Sequence, residues 1–152
     1  GGCLPARARV VDWCTGRVVR VGEIVRGEAK GVWVVSLDEA RLRLVPRPVV
    51  AAFPSGKAQV YALRTATGRV LEATANHPVY TPEGWRPLGT LAPGDYVALP
   101  RHLSYRPSLH LEGHEHMAEA EVYWDRVEAV EPLGEEEVFD LTVEGTHTFV
   151  AE

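Results

Sequence analysis

The sequence predicts an all-β fold of many short strands. Three features carry this reading. The apolar runs are short and rich in Val. Glycine and proline, 14 and 11 residues in a chain of 152, are spread along the whole length. Short strands separated by frequent turn signals are the pattern of an all-β domain. The length favours one domain.

The elements follow in order. "ARARVVDW" reads as a strand that ends at a turn signal, Cys14-Thr15-Gly16-Arg17, and "VVRV" follows it. A short helical turn is expected at Gly22–Arg26. "GVWVVSL" leads to a polar turn at Asp38-Glu39. In "RLRLVPRPVVAAF", Pro46 and Pro48 mark an irregular or edge strand, because proline cannot donate to a ladder. "AQVYALRT" and "RVLEAT" flank Thr67-Gly68 and read as a hairpin, with Tyr61 and Leu63 on one face. A second helical turn is expected at Pro87–Leu91. "DYVAL", "AEVYWDRVEAVEPL", "EEVFDLTV" and "HTFVA" supply further strands. Residues 102–121 break the pattern and read as a linker or surface loop. His110, His114 and His116 lie there, but their spacing fits no strong zinc pattern, so no metal or other cofactor is assigned.

Bulk properties narrow the function classes. Hydrophobic residues make up 45% and charged residues 24%, an ordinary globular composition. The net charge of −5 and the absence of a basic block argue against a nucleic-acid partner. No apolar run is long enough for a membrane span and no signal peptide opens the chain, so no membrane partner is expected. Cys3 and Cys14 are too few for a disulfide framework, and a reducing cytoplasm is the default compartment. Gly1 and Gly2 read as a flank outside the folded unit, and Cys14 as an exposed thiol in a hairpin turn.

Taken singly, the reactive side chains have bland readings. Cys3 fits a small buried apolar residue. His77 fits a satisfied core histidine. Asp140 alternates with Val138 and Thr142, opposite an apolar face of Phe139, Leu141 and Val143. His147 follows a turn. Taken together they offer a thiol with histidine and carboxylate helpers, the components of nucleophilic catalysis. "ATANHPVYT" adds a geometric condition. Residues three apart on a straight strand point to opposite faces, so Thr74 and His77 reach one substrate only if the chain bends at Ala75-Asn76. Asn76 tolerates turn conformations, and Pro78 holds His77 extended.

Cys3-Leu4 at the start, "TANH" at 74–77 and "VFDLTVEGTHTFVAE" at 138–152 together resemble an intein, the self-excising element of protein splicing. The resemblance implies the horseshoe-like Hint fold over residues 3–152, with 102–121 at the position where larger members insert an endonuclease. It also suggests a bacterial DNA polymerase III α-subunit as host. It places the nucleophile at Cys3, the Thr-x-x-His pair at Thr74 and His77, and the later Asp and His at Asp140 and His147. Gly2 then supplies the scissile carbonyl, and Asn76 lines the site. The implied reaction is an N-to-S acyl shift at Gly2–Cys3. Thr74 holds the scissile peptide and His77 donates to the departing nitrogen. Asp140 manages the Cys3 proton, and His147 serves Asn cyclisation. The implied partners are flanking exteins and a short C-terminal segment ending in His-Asn, supplied in trans. The opening "CLPARARVV" departs from the family's usual Gly-Asp turn. Competing readings are a hedgehog-type autoprocessing domain, a cysteine hydrolase acting in trans, and a non-catalytic β-barrel binding module.

Overall fold

The structure is a computed structural model and describes residues 2–100 and 120–144. Its strands are β1 (Leu4–Pro5), β2 (Arg9–Val11), β3 (Val18–Arg20), β4 (Trp33–Asp38), β5 (Arg43–Thr65), β6 (Val70–Thr74), β7 (Pro78–Thr81), β8 (Gly84–Pro87), β9 (Tyr96–Pro100) and β10 (Ala120–Val143). Among the described residues helix is confined to α1 (Val21–Val25) and a 3₁₀ turn at Leu88–Thr90, close to the two positions the sequence allowed. The all-β expectation holds.

Two long strands, β5 and β10, organise the fold. The sequence reading divided each of them in two, at Ser55-Gly56 and near Gly134. The chain instead continues through both points with glycine at positive φ, +90° at Gly56 and +105° at Gly134. Glycine adopts such angles without the steric cost that a β-carbon brings. At Gly134 the ladder spends an extra residue: Pro132 faces Tyr61 and Gly134 faces Val60, so Leu133 is bulged out. Bulges of this kind bend a strand and increase its twist. Residue numbers rise along β10 as they fall along β5, from Val127 opposite Thr65 to Val143 opposite Val49.

The main sheet runs β1-β10-β5-β4, with β6 also paired to β5 and β9 to β10. Two hairpins, β2–β3 and β7–β8, complete the structure. Pro46 and Pro48 pair with Val35 and Trp33 of β4, in a part of β5 that the β10 ladder skips. That placement satisfies proline's missing donor. Of the apolar face expected near Asp140, Leu141 and Val143 are buried, but Val138 is buried too, so both faces of β10 are covered there.

The core packs Leu4, Val10, Val21, Leu63, Leu88, Val97, Val127 and Leu141 in one cluster. A smaller cluster of Val35, Leu37 and Leu44 packs against Trp13, Tyr80 and Trp85. Asp12 is buried between the β2–β3 turn and β4. Its Oδ1 accepts from the Cys14 N–H at 3.0 Å and the Trp33 N–H at 3.2 Å, and its Oδ2 accepts from the Thr15 hydroxyl at 3.1 Å. One carboxylate thus shapes a turn and ties it to the next strand. Asp12→Ala should cost about 2–4 kcal/mol in urea denaturation, because two backbone donors lose an acceptor in a buried site. Asp12→Asn keeps one carboxamide oxygen and should cost less.

Candidate active site

The bend demanded by the Thr-x-x-His spacing is present. β6 ends at Thr74 and β7 begins at Pro78. Between them the His77 N–H donates to the Thr74 carbonyl at 3.1 Å, closing a four-residue turn. The 3₁₀ turn braces it from below. The Leu88 N–H donates to the His77 carbonyl at 2.9 Å and the Gly89 N–H to the Ala75 carbonyl at 2.8 Å. Gly89 is close enough that a β-carbon there would stand 2.8 Å from the Ala75 β-carbon. Sequence reasoning placed the 3₁₀ turn but gave it no role. The "PLG" at 87–89 was its only signal.

Cys3 docks on this bend. Its N–H, part of the Gly2–Cys3 peptide, donates to Thr74 Oγ1 at 3.0 Å, and its carbonyl accepts from the Thr74 N–H at 3.0 Å. The Thr74 hydroxyl donates in turn to Asn76 Oδ1 at 2.6 Å. Gly2 lies against the His77 backbone, since a β-carbon built on it would fall 2.1 Å from His77 Cα. Cys3, Thr74, Asn76 and Tyr61 line an open cleft of about 450 Å³.

Asp140 approaches from β10. Leu4 pairs with Phe139 and Pro5 with Val138 in antiparallel register. The ladder ends there, one residue short of both Cys3 and Asp140, and Asp140 is half-buried. His147, Gly1 and the histidines at 110, 114 and 116 lie outside the described residues. Among the described residues, no group of three or more His, Cys, Asp or Glu side chains is arranged to hold a metal ion. No helix there is long and apolar enough to cross a membrane.

The two cysteines are both free thiols in different settings. Cys14 is half-buried, not the exposed thiol the turn suggested. Its pKa is raised by burial and then by the Asp12 carboxylate two residues earlier.

His77 is 4% exposed, and its pKa is lowered from 6.5 to about 4, chiefly by burial. It lines a small, largely apolar cavity with Leu37, Leu44, Leu71 and Leu99. Burial disfavours the imidazolium, so the ring is neutral near pH 7.

A bent strand pair that holds a cysteine's own backbone amide against a Thr-x-x-His turn belongs to the class of proteins that act on their own peptide bonds. The intein splicing domain model matches residues 13–152, and the chain belongs to that family. It is a mini-intein Hint fold, and its activity is autocatalytic protein splicing. The family match begins at Trp13, past Cys3, but similar structures extend over the start. The G-1F mutant of Ssp DnaB mini-intein variant M86 is 34% identical, with a TM-score of 0.81, over 99% of this chain and 94% of that one. A DnaB intein from Synechocystis sp. PCC 6803 is 32% identical, with a TM-score of 0.80, over 99% of this chain and 94% of that one. Among curated proteins, the replicative DNA helicase DnaB of Rhodothermus marinus is 41% identical over 102 residues, 67% of this chain and 10% of that protein. Protein RecA of Mycobacterium tuberculosis (strain ATCC 25618 / H37Rv) is 38% identical over 99 residues, 65% of this chain and 12% of that protein. The chain thus spans about a tenth of the length of these curated relatives.

The His77 environment makes stability pH-dependent. The folded pKa lies below the unfolded one, so the unfolded chain binds more protons between them. The contribution is fully present above about pH 6.5 and is lost as pH falls to about 4. The gap corresponds to roughly 3 kcal/mol. His77→Leu should flatten this part of the stability-against-pH curve in urea titrations. An unchanged slope would contradict the assignment.

Proposed function

We propose that Cys3 carries out an N-to-S acyl shift on the Gly2–Cys3 peptide. The observation that carries this reading is the 3.0 Å hydrogen bond from the Cys3 N–H to Thr74 Oγ1 at the bend that also holds His77. In the step, the Cys3 sulfur bonds to the Gly2 carbonyl carbon and the C–N bond to Cys3 breaks. The thiol proton ends on the Cys3 nitrogen, so a peptide becomes a thioester and an amine. Nucleophile and carbonyl sit on adjacent residues, and well-oriented intramolecular attack can be worth ~7–11 kcal/mol.

The hydrogen-bond directions support distinct roles. Thr74 gives its own proton to Asn76, so its oxygen presents a lone pair to the scissile N–H. That acceptor stays useful as the nitrogen becomes tetrahedral and gains a proton. Asn76 thereby orients Thr74, a finer role than lining the site. His77 starts neutral, and negative charge developing on the tetrahedral intermediate raises its proton affinity. It then relays the thiol proton to the departing nitrogen. Asp140, one residue beyond the same end of the β1–β10 ladder as Cys3, serves the sulfur side and the next acyl transfer. His147 serves Asn cyclisation.

With an upstream protein fused through Gly2, dithiothreitol should release that protein at Gly2–Cys3, read by mass spectrometry. Cys3→Ala should abolish release and Cys14→Ala should leave most of it. His77→Ala should slow it about 10²–10⁴-fold, the usual range for acid–base help. Loss of release in the Cys14 variant alone would mean that the nucleophile has been misassigned.

The later steps need a downstream nucleophile and a cyclising Asn. A C-terminal segment ending in His-Asn, followed by Cys, Ser or Thr of an extein, would supply both. Such a segment can pair by strand addition, with backbone hydrogen bonds giving affinity. Mixing it with the upstream fusion should give the ligated product by mass. Product formed equally well after Asn→Ala in that peptide would contradict the cyclisation step. The helicase relatives favour a replicative helicase as host over the DNA polymerase III that the sequence resemblance suggested. The two free cysteines suit a cytoplasmic setting.

A further inference from the structure

We propose that Arg7 is a positioning residue for the acyl shift, clamping the Cys3 segment to the two strands that carry Thr74 and Asp140. The inference rests on the reading of Cys3 as nucleophile. β1 is a ladder of only two residue pairs, Leu4 with Phe139 and Pro5 with Val138. A ladder of two pairs opens readily, and strands this short need further contacts. Just past β1, Arg7 Nε donates to Glu72 Oε1 at 2.6 Å. Its two terminal nitrogens grip the Glu136 carboxylate, one of them at 3.0 Å to Oε2 and the other to Oε1. Glu72 stands two residues before Thr74 on β6, so both side chains leave the same face. Glu136 stands on β10, two residues before Val138, which pairs with Pro5. A single guanidinium therefore joins three segments: that of the nucleophile, that of the hydroxyl, and that of the carboxylate.

Backbone bonds close this turn and hold its other side, with the Ala8 N–H donating to the Pro5 carbonyl at 3.0 Å. The Gly22 N–H donates to the Ala6 carbonyl and the Val21 N–H to the Ala8 carbonyl, both at 2.9 Å, which ties the turn to α1. The side chain of Arg7 links it to β6 and β10.

Magnitudes separate positioning from stability. The side chains are 47% exposed for Arg7 and 29% for each glutamate. Ion pairs this exposed contribute little to folding. Geometry is where a planar, two-pronged guanidinium acts, because it fixes direction as well as distance. A small displacement of a nucleophile can cost about a hundredfold in rate. Losing the clamp should therefore slow the chemistry and leave the fold nearly intact.

The test uses the full chain fused upstream through Gly2. Arg7→Gln should slow dithiothreitol-dependent release by about ten- to a hundredfold at an unchanged urea midpoint. Arg7→Lys, which keeps the charge but loses the fork, should recover part of the rate. Glu72→Gln and Glu136→Gln should each slow release less than Arg7→Gln. Amide exchange of the residue 3 N–H, followed by NMR in the Cys3→Ala variant so that no acyl shift occurs, should accelerate on adding Arg7→Gln while core amides do not change. Release by Arg7→Gln at the wild-type rate, or slowing that only tracks a lower urea midpoint, would overturn the clamp. Should the wild-type chain release nothing, the reading of Cys3 fails by itself. The amide-exchange comparison then decides the clamp, and unchanged exchange at residue 3 rejects it.

Discussion

The site depends on one pair of hydrogen bonds between residues 71 positions apart. The Cys3 N–H reaches the Thr74 hydroxyl and the Thr74 N–H reaches the Cys3 carbonyl, each at 3.0 Å. Cys3 precedes a strand of only two residues, so it has no helix or long strand of its own to hold it. Its geometry must come from distant parts of the chain, and every long-range contact has to offset the entropy of ordering its partners. The two long strands supply that order. β10 carries Phe139 and Val138 to β1, while β5 carries β6 and its Thr74 alongside. The bulge at Leu133–Gly134 curves β10 between its contact with β9 and its contact with β1.

Much of this was legible from local signals. Gly68, at φ +90°, marked the β5–β6 hairpin correctly because a tight turn needs that backbone angle. The paired prolines marked a one-sided ladder. The three-residue spacing of Thr74 and His77 forced a bend, and the bend is there. Continuity of the long strands was not legible, because glycine signals a turn and a bulge alike and only the partner strand decides between them. Asp12, Glu72, Glu136 and Asp125 were not legible either. Asp125 is buried and accepts from Thr67 and Tyr123, but in the sequence it is one acid among many. The pairing of Glu72 and Glu136 with Arg7 and of Asp125 with Thr67 is set by register between strands far apart in the chain, whereas Asp12 reaches Cys14 and Thr15 within its own turn. Sequence periodicity carries no register.

His77 shows how the fold serves chemistry through desolvation. An imidazole among leucines is neutral near pH 7; on the proposed mechanism, no imidazolium would then stand ready to protonate the scissile nitrogen before a negative charge develops nearby. The Asn76–Thr74 contact has the same logic. It spends the hydroxyl proton on a neighbour and leaves only an acceptor facing the amide. On the proposed mechanism, both groups would act on the charge that develops during reaction, where preorganised polar groups are most effective.

The same fold distinguishes its two thiols. Asp12 is buried for structural reasons, gathering the Cys14 N–H, the Trp33 N–H and the Thr15 hydroxyl. Its carboxylate then stands beside the Cys14 sulfur, and together with burial it disfavours the thiolate there. Thiolate is the reactive form of a thiol, so burial first and the turn-shaping Asp12 second both act against reactivity at Cys14. Cys3 borders an open cleft with hydroxyl and amide groups around it. A thioester formed at Cys3 would be exposed to attack by any reactive thiol within reach. On the proposed mechanism, a half-buried Cys14 with a raised pKa would compete less for that thioester.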